Sequence, residues 1–212
     1  SLQLAHVQGR ESSRNKIENM AYFDLVTGLP NRYAYERGVQ RMLASALRQE
    51  SRIAIMFIDL DGFKRVNDSL GHAVGDQLLR VVGTRLEENI RPGDLAAKLE
   101  SGNRSMVARL GGDEFTVVIQ GLSEFREAEL AARRFLDILS VPVLIGSSEI
   151  KVSASIGIAV FPDDGTNLAD LMRLADAAMY EAKRQNGGQY YFATEALNKN
   201  VRRHRWVETE LR

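Results

Sequence analysis

The sequence predicts an α/β chain of the α+β kind, with a central mixed sheet flanked by helices. Three observations predict it. The stretch "RIAIMFIDLD" (52–61) is a short, nearly continuous, Ile-rich apolar run, as expected of a strand buried on both faces. The stretch "KVSASIGIAVFP" (151–162) alternates Val152, Ala154, Ile156, Ile158 and Val160, which marks a second strand. Between and around them, apolar residues recur at helical spacing, so strands alternate with helices except at one hairpin.

Taken in order, residues 1–22 are polar with sparse apolar positions and read as a connecting helix. "TGLPNR" (27–32) is a turn cluster, because Gly and Pro break regular structure. Residues 33–48 carry Tyr33, Val39, Met42, Leu43, Ala46 and Leu47 at helical intervals. A helix over about 72–90 places Leu78, Leu79, Val82 and Leu86 on one face. "VARLGGDEFTVVI" (107–119) is the hairpin, since paired glycines permit the positive φ of a tight turn. Residues 123–139 form a further helix. Pro162 ends the alternating strand. A last helix aligns Leu168, Leu171, Met172, Ala175, Met179 and Ala182, with Gly187 and Gly188 at its stop.

Bulk properties exclude several classes. The chain of 212 residues is 44% hydrophobic, enough for one domain with extensions. Lys plus Arg and Asp plus Glu are 28 each, so no basic field favours nucleic acid. The absence of cysteine excludes disulfides, thiolate metal sites and a Cys nucleophile, and suits a cytoplasmic setting. No apolar run spans a bilayer, although a membrane anchor elsewhere in a longer protein is compatible with charged, helix-like ends.

Two constellations carry chemistry. In "FIDLDGFKRVNDSLGHAVGD" (57–76), Asp59 ends a buried strand, where an unpaired carboxylate is costly and a metal or cationic partner removes the cost. Gly62 lets the backbone turn, so that the amides of 62–65, that of Phe63 among them, can face a phosphate. Lys64 offers those phosphates a point charge. An aspartate that merely caps the next helix is the alternative. A calcium loop is excluded, because the sixth position from Asp59 is Lys64 rather than Gly and the twelfth is Leu70 rather than Glu. In the second constellation, Gly111 and Gly112 precede Asp113 and Glu114. With Asp59 on a neighbouring strand, these acids make an all-oxygen site suited to magnesium, two of which can clamp a phosphoryl transfer. Glycines without Cβ atoms let the phosphate or its nucleophile approach the backbone.

Five ordered blocks, "AYFDLVTGLPNR", "FIDLDGFKRVNDSLGHAVGDQLL", "ARLGGDEFTVVI", "SASIGIAVFPDDG" and "ADAAMYEAKRQNGG", resemble the GGDEF-type diguanylate cyclase domain over roughly residues 20–193. The resemblance implies a palm-like nucleotide-cyclase fold that joins two GTP into cyclic di-GMP and releases pyrophosphate. It implies domain limits of 23–193, with 1–22 a connecting helix and 194–212 a linker helix leading to an EAL-type phosphodiesterase domain. Asp59, the carbonyl of Leu60 and Asp113 then resemble the ligands of magnesium (manganese being the alternative), with Glu114 serving a second metal. Asp113 corresponds to the acceptor of the ribose 3′ proton, Lys64 to the transition-state stabiliser and Lys183 to a phosphate contact. Asn67 and Asp76 correspond to guanine readers, and His72 to a substrate contact. Carboxylate and amide together match the guanine edge and leave adenine unpaired. Catalysis in such domains needs a homodimer with one GTP on each side.

Three departures from the family pattern bear on function. The product-inhibition motif RxxD does not stand at its usual distance before the glycine pair, where Gly102 and Ser105 align. A displaced copy is Arg91-Pro92-Gly93-Asp94, separated from the hairpin by an inserted segment, so the inhibitory site of Arg91 and Asp94 is expected to be lost or altered. Gly187 occupies the position of an arginine that contacts phosphate in many members, and Arg184 is expected to face elsewhere. The tail resembles the linker to an EAL-type domain. The expected function is therefore a diguanylate cyclase. The alternative is a catalytically weak or inactive GTP-binding module that controls a fused phosphodiesterase.

Overall fold

The computed structural model describes residues 21–90 and 105–194. Residues 1–20 of the expected connecting helix (1–22), residues 195–212 of the expected linker helix (194–212) and the displaced pair Arg91 and Asp94 lie outside the described residues.

Helix α1 (Arg32–Gln49) starts where the Asn31 side chain accepts the Ala34 amide, and ends at Glu50 in the left-handed conformation. Strand β1 (Arg52–Asp61) follows, then the short helix α2 (Phe63–Leu70) and the long helix α3 (His72–Ile90). Strands β2 (Met106–Gly111) and β3 (Glu114–Leu122) form the acidic hairpin. Helix α4 (Phe125–Ser140) precedes a small hairpin, β4 (Val143–Ile145) and β5 (Ser148–Ile150). Strand β6 (Ser153–Phe161), helix α5 (Leu168–Arg184) and the short strand β7 (Tyr190–Phe192) complete the described fold.

The main sheet has the order β2-β3-β1-β6-β7, antiparallel throughout except for the parallel β6–β7 pair, so it is mixed as expected. β1 lies in the middle, and Ile53 through Leu60 are all buried. Its alternate side chains feed two cores. Ala54, Met56, Ile58 and Leu60 pack with Leu78, Leu86 and Phe135 of α3 and α4. Ile53, Ile55 and Phe57 pack with Val39, Leu171 and Ala175 of α1 and α5. Burying a side chain of this size contributes about 1.5–3 kcal/mol. The double burial explains why β1 reads as a continuous apolar run, whereas its polar end marks where the sheet meets solvent.

The helical stripes expected in α3 and α5 face these cores, with Leu78, Leu79, Val82 and Leu86 in one and Leu171, Ala175 and Met179 in the other. The sequence reading missed α2, the β4–β5 hairpin and β7. α2 has 8 residues and β4, β5 and β7 have 3 each, too few turns or repeats for a periodic signal.

Candidate active site

The site gathers at the polar ends of β1, the β2–β3 turn and the last turn of α5. Side chains alternate along a strand, so Asp59 and Asp61 share the α1/α5 face with Ile55 and Phe57. Asp59 pairs in register with Glu114 on one side and Ser155 on the other, and the Leu60 amide donates to the Asp113 carbonyl at 3.4 Å. The two acidic constellations, more than fifty residues apart in the chain, are thereby neighbours on adjacent strands. Asp59 is not a helix cap; Gly62, with φ +76°, occupies that position for α2.

Asp59 and Asp61 are treated differently by their surroundings. The buried Asp59 Oδ1 has no hydrogen bond of good geometry, and its close partner is the Lys183 ammonium at 2.6 Å. Burial pushes the Asp59 carboxyl up to about 6; Lys183 opposes this, while Asp113 and Asp61 add to it. Lys183 is held above its usual range: burial works against the charge, but Asp59, Asp113 and Asp61 outweigh it. Asp61, in contrast, is saturated. It accepts Ser153 Oγ at 2.7 Å, Ser155 Oγ at 2.7 Å and the Gly188 amide at 3.0 Å. Glu114, half-buried, is raised by burial and by Asp176 and Asp113, against the pull of Arg32 and Lys183.

The hairpin turn is positioned from behind. Gly111 and Gly112 take φ +141° and +55°, conformations that favour glycine, and both are exposed. The nearly buried Arg109 donates through Nε and Nη2 to the Gly112 carbonyl at 3.1 and 2.7 Å. Its Nη1 reaches both oxygens of Asp24, at 2.8 and 2.9 Å. Burial would raise Asp24, but hydrogen bonds from Arg109 and Thr27 hold it below the usual carboxylate range. Sequence reasoning missed Arg109, Asp24 and Asp61. Their only sequence signal is a charged residue within a turn-rich block, which does not distinguish a positioning residue from a solvated one.

The remaining candidates fall on α2 and α3. Lys64 and His72 are exposed near the starts of α2 and α3, and Phe63 is buried. Asn67 and Asp76 are half-buried on successive helices. The Asn67 Oδ1 is buried without a hydrogen-bond donor, and it lies where a Cβ at Gly75 would be, so the glycine makes room for the amide. Arg184 donates to Glu181 at 3.2 Å, away from the acidic cluster as expected. Gly187, at φ +68°, packs against Asp61 so closely that a Cβ there would overlap the carboxylate.

Among the described residues no three His, Cys, Asp or Glu side chains are grouped as a ready-made metal cage. The donor set fits a hard cation in another way: Asp59 offers a buried carboxylate oxygen whose one close partner is a cation, Lys183, with Asp113 near enough to act on it and backbone carbonyls at the strand ends. No helix among the described residues is long and apolar enough to cross a membrane.

A family model described as "Diguanylate cyclase, GGDEF domain" matches residues 21–189. The chain is 38% identical over 200 residues to the bifunctional diguanylate cyclase/cyclic di-GMP phosphodiesterase MucR of Pseudomonas aeruginosa, covering 94% of this chain and 27% of that protein. It is 34% identical over 200 residues to the cyclic di-GMP phosphodiesterase PdeR of Escherichia coli, covering 94% of this chain and 28% of that protein. The chain thus spans about a quarter of the length of these relatives. Its fold matches the solved GGDEF domain of TpbB (YfiN) from Pseudomonas aeruginosa with a TM-score of 0.73 and 37% identity, over 81% of this chain and 94% of that one.

Proposed function

The chain belongs to the GGDEF diguanylate cyclase domain family, and from that premise we propose that it condenses two GTP into cyclic di-GMP, each of two facing copies holding one nucleotide. The observation that carries this reading is the register of Asp59 against Glu114, with Asp113 in the adjoining turn. It brings the ends of two distant segments together on adjacent strands, with Asp113 near enough to act on Asp59, beside exposed glycines that leave the backbone open to a phosphate.

In this reading Asp59, Asp113 and the Leu60 carbonyl hold magnesium, and Glu114 serves a second ion. When bound, magnesium would supply charge neutralisation for the transferred nucleotidyl group. The protein's own groups do the rest. Asp113 accepts the proton of the ribose 3′-hydroxyl as that oxygen bonds to the α-phosphorus of the partner nucleotide. The α–β phosphoanhydride bond breaks, and pyrophosphate leaves. Lys64, unpaired among the described residues, is free to stabilise the charge that develops, and the amides at the start of α2 add to it. Asn67 and Asp76 read guanine, whose amino and imino hydrogens suit a carboxylate and an amide oxygen. His72 sits within reach of the same helix junction as a further substrate contact. Pairing of two copies sets the rate, because each 3′-hydroxyl must meet the other copy's phosphate.

A second reading has its own support. Gly187 closes the turn onto Asp61 and brings no side chain to a phosphate, and PdeR bears a phosphodiesterase name. A GTP-binding module that regulates a fused EAL-type domain would be built this way.

The test is incubation of the chain at high concentration with GTP and Mg²⁺, followed by chromatography for cyclic di-GMP, with GTP binding measured in parallel. Product that disappears in Asp113→Ala supports the cyclase. Product at the wild-type rate in that variant overturns the site assignment. Binding without product, even after fusion to a dimerising helix, selects the regulatory module.

A further inference from the structure

Asp59 and Asp61 stand two residues apart on one strand face, yet only Asp61 has its full set of donors. Three neutral donors hold Asp61: Ser153, Ser155 and the Gly188 amide. Asp59 Oδ1 has no neutral donor, only the Lys183 ammonium at 2.6 Å, and its side chain is 9% exposed. A buried carboxylate without neutral donors needs a cation. Asp113 and Asp61 add their negative charge at the same place.

Lys183 is suited to a temporary stay. It lies in the last turn of α5, its side chain is 36% exposed, and a four-carbon stem lets the ammonium swing away from the strand. A lysine makes a single compact contact, whereas a bidentate arginine would be locked in place. The neighbouring Arg184 is committed to Glu181, so no second cation from α5 competes for Asp59.

We propose that Lys183 is the exchangeable counter-cation of Asp59: its ammonium occupies the carboxylate while no nucleotide is bound, and leaves it for the nucleotide's phosphates when a metal–nucleotide complex loads. This rests on the reading of Asp59 as a metal ligand. The physical reason is that one buried oxygen cannot serve an ammonium and a divalent ion together. A metal ion arriving alone must expel Lys183 with nothing to receive it. A metal arriving with a triphosphate gives the ammonium a new anionic partner. Metal and nucleotide are then coupled through one side chain, and each raises the affinity for the other.

The experiment is Mn²⁺ binding in the absence of nucleotide, followed by electron paramagnetic resonance of free Mn²⁺. Wild type, Lys183→Gln, Lys183→Arg and Asp59→Asn are compared, with circular dichroism to establish that each is folded. Lys183→Gln is expected to bind Mn²⁺ alone about tenfold more tightly than wild type, since a unit charge beside the ligand is removed. Lys183→Arg keeps the charge and is expected to bind it no more tightly than wild type. Asp59→Asn is expected to lose the site. Equal or weaker Mn²⁺ binding by Lys183→Gln, with the site still lost in Asp59→Asn, overturns the exchange and leaves the metal reading standing. Mn²⁺ binding by Asp59→Asn at wild-type strength overturns both.

Discussion

Arg109 and Asp24, 85 residues apart, form an ion pair in which Nη1 reaches both carboxylate oxygens at 2.8 and 2.9 Å, while Nη2 of the same guanidinium grips the Gly112 carbonyl at 2.7 Å. The acidic turn is thus fastened to the loop that leads into α1 (Arg32–Gln49). The Arg109 amide also donates to the Pro30 carbonyl at 3.0 Å, so the two segments are joined by backbone as well. A turn rich in glycine would otherwise wander, and Asp113 with it.

Arg109→Ala should therefore destabilise the fold by about 2 kcal/mol, because it strands the half-buried Asp24 carboxylate as well as a carbonyl. Asp24 is held below its ordinary 3.8 in the folded state. Its contribution is fully present above that unfolded value and is lost as pH falls through the folded one. Urea denaturation at pH 7 and in acid should show the wild-type advantage over Arg109→Ala shrinking below about pH 4. An advantage that stays constant into acid would exclude Asp24 as the partner that matters.

Asp59→Asn should stabilise the metal-free protein at neutral pH while removing the cation site. Folded Asp59, pushed up to about 6 chiefly by burial, holds its proton more tightly than the unfolded chain, whose value is near 3.8. Protonated Asp59 therefore favours folding below the unfolded value, and that advantage is lost as pH rises through the folded one. Asparagine is neutral throughout. The variant should gain about 1–2 kcal/mol above pH 6 or so, and the gain should vanish below about pH 4. Thermal melts in chelator across this range provide the measurement.

Gly157→Ala should cost about 3 kcal/mol, an overpacking penalty. A Cβ at Gly157 would run into the Ala175 carbonyl and the Met179 amide, which are backbone and cannot turn aside. The glycine lets α5 (Leu168–Arg184) lie close on β6 (Ser153–Phe161), and that closeness brings Lys183 to Asp59. Denaturant midpoint and Mn²⁺ binding should both shift; a variant with unchanged midpoint would mean the helix can lift without cost.

Gly187→Arg, which restores the residue type common in the family, should not strengthen GTP binding. A side chain at this positive-φ position meets the Asp61 carboxylate, which Ser153 and Ser155 hold in place. Calorimetric titration with GTP should show equal or weaker affinity and a lower melting temperature. Tighter binding would mean that the turn opens readily and that the missing arginine is the whole difference.

How much of this chain could be read before folding differs by element. The continuous apolar run of 52–61 announced a strand covered on both sides, and the stripes of α3 (His72–Ile90) and α5 announced their buried faces, because periodicity records which face meets a core. The order and spacing of the motif blocks pointed to the family without any geometry. Other features had no local signature. "DLDG" presents Asp59 and Asp61 as equivalents, and only the strand pairing gives one of them two serines and an amide while leaving the other to a lysine. Arg109 reads as an ordinary charge until the loop of Asp24 packs beside it. Gly187 reads as a lost contact until Asp61 is found against it. Pattern along a chain encodes exposure and direction at short range, so the sequence by itself determined the longer strands and helices and the family, but not the short α2, β4, β5 and β7. Hydrogen-bond saturation and charge pairing depend on groups tens of residues away, so only the tertiary structure decided which carboxylate is left open for a cation.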